Sequence, residues 1–141
     1  GIRDEHAVKL LSSLKSNGKL LALNMSQNHL GSESVQAFSA AMKGNTTLTA
    51  LDLSRNRIGD EDAAALLTEL SPPPEAGGKK GKKGTKAFVH INLSHNAVGE
   101  KGAREAVRIL EGGDPESLKV VLKGHKFGKD VSAKLKAGGL V

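Results

Sequence analysis

The sequence predicts a stacked α/β solenoid in which each unit contributes one short strand and one helix. Three observations predict it. A phrase recurs: Leu20-x-x-Leu23-x-Met25-x-x-Asn28-x-Leu30-Gly31, then Leu48-x-x-Leu51-x-Leu53-x-x-Asn56-x-Ile58-Gly59, then Phe88-x-x-Ile91-x-Leu93-x-x-Asn96-x-Val98-Gly99. The first two copies lie 28 residues apart and the next two 40 apart. After each copy, apolar residues return at helical spacing. Fixed chemistry at a fixed period marks a stacked repeat, because a unit of this size cannot bury its apolar face alone.

Within the phrase, the apolar residues fall at places one, four, six and eleven. Places four and six alternate with polar residues, which is strand spacing with one face buried. The Asn at place nine carries two donors and an acceptor, suited to the backbone groups where the chain leaves the strand. Asn28, Asn56 and Asn96 are therefore read as architecture. The Gly at place twelve is expected to free the backbone to turn toward the helix.

The units follow in order. Residues 1–16 read as the helix of a unit whose strand is missing: Ile2, Asp4, Glu5, Ala7, Leu10, Leu11 and Leu14 match Ile58, Asp60, Glu61, Ala63, Leu66, Leu67 and Leu70 at an offset of 56. Repeat 1 spans 17–44, with Val35, Phe38, Ala41 and Met42 as its helix stripe. Repeat 2 spans 45–71, and its helix opens on Asp60, Glu61 and Asp62, where the helix dipole favours acids. Residues 72–86 interrupt the period. Repeat 3 spans 87–113, with Ala103, Ala106, Val107 and Leu110 at helical spacing. Residues 114–141 form a degenerate capping repeat, in which Val120, Leu122, Phe127 and Gly128 hold their places but place nine is His125. Its helix is expected over 129–136, ended by Gly138-Gly139.

These residues resemble the leucine-rich repeats of the ribonuclease-inhibitor-like subclass. The phrases from Asn45 to Asn56 and from Val98 to Ala103 carry the likeness. It covers the chain except residues 71–87 and weakens after 112. What the resemblance implies is a segment of a right-handed α/β horseshoe, with a parallel sheet on the concave side and helices on the convex side. It implies a broad binding face rather than a closed catalytic pocket. This chain lacks the many Cys of the ribonuclease inhibitor itself, so that activity is not carried over.

On such a fold the side chains facing out of the concave sheet read as columns. Place five gives Asn24, Asp52 and Asn92; place eight gives Gln27, Arg55 and His95; place three adds His90. These seven are the candidate partner-binding residues, with Arg55 the strongest by residue type. Ser54, Asp52, His90 and His95 could be drawn as a nucleophilic set. However, Ser and Asp recur there as part of the repeat, and no glycine-framed nucleophile elbow is present. The five His show no metal-ligand spacing and no Cys assists them. No phosphate-cradling Gly motif occurs. No catalytic, cofactor or metal site is expected.

The net charge of +6 is unevenly spread. Residues 1–74 carry seven basic and eight acidic groups, and residues 87–111 balance. The excess lies in the insertion and the cap. The insertion holds three prolines, then Lys79, Lys80, Lys82, Lys83 and Lys86 among glycines. Pro ends the preceding helix, and Gly and Lys build no core, so a flexible loop is expected. The lysines are a candidate electrostatic tether for an acidic partner. With three Phe and no Tyr or Trp, base-stacking platforms are absent, so any nucleic-acid binding would be non-specific. No stretch is apolar enough to span a membrane. The absence of Cys is compatible with a reducing compartment, and a cytoplasmic location is expected.

The functional expectation is a non-enzymatic interaction module or scaffold, a monomer or part of a larger chain, holding a protein partner on its concave face. The resemblance also leaves open a GTPase activator of the Ran-activator type. A cytoskeletal protein of the tropomodulin type is the other family alternative.

Overall fold

The computed structural model describes residues 1–70, 90–112 and 119–139. Helices α1 (Asp4–Leu14), α2 (Ser32–Met42), α3 (Asp60–Leu70), α4 (Glu100–Gly112) and α5 (Lys129–Ala137) alternate with strands β1 (Ala22–Asn24), β2 (Ala50–Asp52), β3 (His90–Asn92) and β4 (Lys119–Val121). The strands form one parallel sheet in chain order. Leu23, Leu51, Ile91 and Val120, all at place four, stand opposite one another in register. The Leu110 and Lys79–Lys86 expectations fall outside what is described of side chains or backbone.

Each strand is only three residues long, covering places three to five. Backbone pairing nevertheless continues past it. Met25 N–H donates to Asp52 O, Leu53 to Asn92 and Leu93 to Val121, at 2.8–2.9 Å. Two residues on, Gln27, Arg55 and His95 donate to Ser54, Ser94 and Lys123 in the same way. The core lies between sheet and helices. Leu51, Ile91, Leu30, Ile58, Ala63, Leu66, Leu67, Ala103 and Ala106 are wholly buried, and Phe38 is the largest side chain among them at 1 % exposure. Helices need 8–10 Å of spacing where strands need about 4.8 Å, so stacked units bend toward the sheet. The open sheet face is thereby the concave one.

Leu10 departs from its expected role. Its counterpart Leu66 is fully buried, whereas Leu10 is 45 % exposed. Among the described residues α1 packs against a helix on one flank only, α2.

Polar residues tie each unit to the next. Asn56 Nδ2 donates to Leu53 O (2.9 Å) in its own unit and to Met25 O (3.0 Å) in the one before. Its Oδ1 accepts from Leu30 N–H at 3.1 Å. Asn96 repeats this on Leu93 O, Leu53 O and Ile58 N–H. His125 stands at the same place in the cap, with Nε2 3.1 Å from Leu93 O. Burial lowers the His125 pKa below its ordinary value; the Leu93 carbonyl opposes this and nearby His95 adds to it.

Helices α2, α4 and α5 are capped from the preceding unit. Arg3 and Gly31 make no side-chain cap bond to the helices they precede. Instead Asp4 Oδ1 of α1 accepts from the Gly31 (2.8 Å) and Ser34 (3.1 Å) N–H groups of α2, and from the Ser34 hydroxyl. Asp60 of α3 accepts from Gly99 (3.0 Å), Lys101 (3.2 Å) and Gly102 (2.6 Å) at the start of α4. Glu100 of α4 accepts from Gly128 at 2.7 Å. Asp4, Asp60 and Glu100 thus serve the following helix, beyond the dipole effect expected of first-turn acids, whereas Asp62 of α3 accepts from the Ser32 hydroxyl of α2, at 2.5 Å. For Asp4, burial is the largest influence and pulls its pKa up, but the Gly31 and Ser34 hydrogen bonds together outweigh it, and the net shift is downward.

This arrangement revises the reason for glycine at place twelve. The φ of Gly31 is −132°, which side-chain-bearing residues also adopt. At Gly31, Gly99 and Gly128 the position gives room to a carboxylate of the preceding unit, whereas a Cβ on Gly59 would meet only Asp62 of its own helix, at 3.5 Å. A Cβ on Gly99 would lie 2.9 Å from Asp60 Oδ2, and one on Gly128 would lie 2.4 Å from Glu100 Oε1.

Candidate interaction face

The seven candidate residues all lie on the open sheet face or at the turn leaving it, and the structure divides them into two kinds. Asn24, Asp52 and Asn92 end their strands, in register across β1, β2 and β3. Their Oδ1 atoms accept the N–H two residues ahead: Ser26 at 2.9 Å, Ser54 at 2.8 Å and Ser94 at 3.1 Å. These are Asx turns, in which a short side chain replaces a backbone acceptor as the strand closes. Asn92 Nδ2 also donates to Asp52 Oδ2 at 3.2 Å. Place five is therefore partly architectural, a role the column reading had missed. Its signal was present in the sequence, since Asn or Asp two residues before Ser recurs in all three units.

Place eight is different. Gln27, Arg55 and His95 have φ of 58°, 56° and 56°, in the left-handed region. Gly124 fills the same place in the cap with φ 82°. For a residue with a Cβ this conformation costs about 1–2 kcal/mol. All three side chains are exposed and make no hydrogen bond among the described residues. The strain is met by the backbone, whose N–H groups donate forward into the next unit. His95 leans toward the cap: a Cβ on Gly124 would fall 2.2 Å from its Nδ1. His90 is half-buried at the start of β3 and stands beside Lys119 in register.

The drawn nucleophilic set does not assemble. Asp52 Oδ1 is held by the Ser54 backbone, and neither His bonds to Ser54 or Asp52 among the described residues. Two surface depressions, of about 480 and 490 Å³, lie elsewhere, and neither is lined by any of the seven candidates. Among the described residues no group of three or more His, Asp or Glu is placed to hold a metal ion. No described helix is long and apolar enough to cross a membrane.

Sequence reasoning also passed over Asn17 and Asn45, which are 28 residues apart. Asn45 Oδ1 accepts from Thr47 and Leu48 N–H, at 2.9 and 2.8 Å. Its Nδ2 donates to Leu14 O (2.6 Å), a carbonyl at the end of α1. Their common period was the available signal.

Comparison with known proteins agrees with this architecture. A family model described as Leucine Rich repeat matches residues 16–39 and 44–67. The structure titled Leiomodin-1 Actin-Binding Site 2 (ABS2) superposes with a TM-score of 0.68 over 96 % of this chain and 71 % of that one, at 16 % sequence identity. A search of curated proteins finds no match. The chain folds as a leucine-rich-repeat α/β solenoid, a class whose repeats serve as protein-interaction modules.

Proposed function

We propose that this chain is a non-enzymatic protein-interaction module that holds its partner on the open sheet face, across β2 to β4 around Arg55 and His95. The observation that carries the reading is the place-eight row. Three long polar side chains sit where glycine would be the unstrained choice, and none is spent on the fold. Strain retained at exposed, unbonded residues points to a use outside the fold. Asn24, Asp52, Asn92 and His90 supply the remainder of the surface. A pull-down with the wild-type chain and with Arg55→Glu, each at low and high salt, tests this. Loss of captured protein in the variant is expected; identical capture by both overturns the assignment of the face.

We further assign the repeats to the ribonuclease-inhibitor-like subclass, supported by the 28-residue register of β1 on β2. A cytoplasmic setting is supported by the absence of Cys. Lys79, Lys80, Lys82, Lys83 and Lys86 are proposed as an auxiliary tether on charge alone. A cytoskeletal partner is the second reading. The likeness to a structure titled as an actin-binding site favours it, and co-sedimentation with filamentous actin decides it.

A further inference from the structure

The described ion pairs of this chain lie on its helical side, where Lys9, Lys129 and Lys136 nonetheless stand without one among the described residues. On the helical side Lys101 pairs with Glu61, Arg104 with Glu100 (3.3 Å), Arg108 with Glu105 and Lys134 with Glu111 (2.6 Å). On the open face at the C-terminal end, Arg55, His90, His95, Lys119 and Lys123 have no carboxylate partner among the described residues. The carboxylate nearest them in register, Asp52, is held by Ser54 N–H and Asn92 Nδ2.

Topology gathers these five into two short rows. His90 and Lys119 are register partners at the start of β3 and β4. At the other end, Arg55 N–H donates to Ser94 O, and His95 N–H to Lys123 O, at 2.9 and 2.8 Å. Arg55 and His95 therefore stand on adjacent turns, about 4.8 Å apart, and Lys123 lies one residue before Gly124, which holds the next place in that row. Lys119 and Lys123 are separated by four residues, about 13 Å of extended chain. Between the rows lies a flat floor of Asn92 and Val121.

We infer that this end of the open face is a docking surface for a carboxylate-rich segment of a protein partner, with acidic side chains reaching the two rows. The inference rests on the proposed interaction face and adds the chemistry of its occupant. The Arg55, Lys119 and Lys123 cations, without an internal partner among the described residues, draw opposite charge and reject like charge, and the two imidazoles can add hydrogen bonds. The flat floor has no aromatic side chain on which a base could stack, which favours an acidic polypeptide over a nucleic acid. A segment carrying Glu at i and i+4 in extended form spans the distance between Lys119 and Lys123.

The test uses the full chain and a fluorescently labelled Gly/Ser peptide with two Glu-Glu pairs four residues apart, followed by anisotropy. Saturable binding at low salt is expected, weakening as added salt shortens the screening length. Lys119→Glu/Lys123→Glu should weaken it by about ten-fold or more. Lys119→Gln/Lys123→Gln should fall between that variant and wild type. Lys129→Glu/Lys136→Glu, on the cap helix, should leave it near wild type. Circular dichroism establishes that each variant is folded. Absence of binding, equal loss in the cap-helix variant, or tighter binding of a labelled oligothymidylate overturns the inference. If the peptide fails while Arg55→Glu still abolishes partner capture, the interaction face stands and only its acidic occupant falls.

Discussion

Replacing Asn56 with Ala tests the claim that the place-nine column holds neighbouring units together. The side chain contributes one acceptor and two strong donations. Leu30 N–H loses its acceptor outright, and Leu30 is fully buried. An orphaned buried donor costs about 1–3 kcal/mol. The two carbonyls fare better. Met25 O keeps Asn28 Nδ2, and Leu53 O keeps Asn96 Nδ2, so losing their second donor adds about 1 kcal/mol in all. The expected loss is about 2–4 kcal/mol, a large share of the 5–15 kcal/mol typical of a domain. Asn28→Ala is the internal control. The N–H it would orphan belongs to Ile2, which is 36 % exposed and within reach of water, so its cost should stay near 1 kcal/mol. Urea unfolding followed by far-UV circular dichroism measures both, since the chain has no Trp or Tyr to report by fluorescence. The slopes must be compared as well as the midpoints, because a stacked repeat can unfold in parts. Equal midpoints for the two variants would refute the column argument.

Two further outcomes follow from the cap and the insertion. His125→Asn restores the column and offers an acceptor to Val98 N–H, which has none among the described residues. It also removes the His125–Phe127 ring contact, with centroids 5.6 Å apart, so the two effects should nearly cancel at pH 7. Because the folded-state pKa of His125 is lowered, the unfolded chain binds the proton more readily. Stability is then full above the ordinary pKa of 6.5 and declines as pH falls below it toward the folded value. Thermal melts at pH 7 and pH 5 should show the variant gaining on wild type at the lower pH; parallel pH profiles would refute this. Shortening the α3–β3 connection to the seven residues that separate α2 from β2 lowers loop-closure cost by about 0.9 kcal/mol. The melting temperature should hold or rise slightly, and a large drop would show that the removed residues pack against the core.

The fold was legible because its determinants are local and periodic. Apolar places four, six and eleven and the helix stripes lead directly to a parallel sheet backed by helices. Leu10 misled because its burial depends on a neighbour to one side, which periodicity does not reveal. Capping was harder to read, because Asp4 and Asp60 act on the next unit at separations of 27 to 42 residues. From sequence they look like ordinary first-turn acids. The glycines at place twelve were located correctly, but at Gly31, Gly99 and Gly128 the crowding carboxylate belongs to the preceding unit and is not visible in local sequence. The place-eight strain had no signal in residue type, because Gln, Arg and His do not announce a left-handed backbone.

That last point bears on where function can reside. In the first three units, places five and nine are bound to the backbone by their own side chains, so changing them alters the stack before it alters a partner. Place eight fixes its backbone through its N–H and leaves its side chain unengaged. It is thus a position where the repeat demands a conformation yet leaves the chemistry open. The chain fills it with Gln27, Arg55, His95 and Gly124, a different residue in each unit. Glycine appears only where the His95 ring needs the space above Gly124. Variation at a strained, solvent-facing place is what a recognition surface requires of a repeat, and Arg55, Lys119 and Lys123 would give the proposed surface its sign.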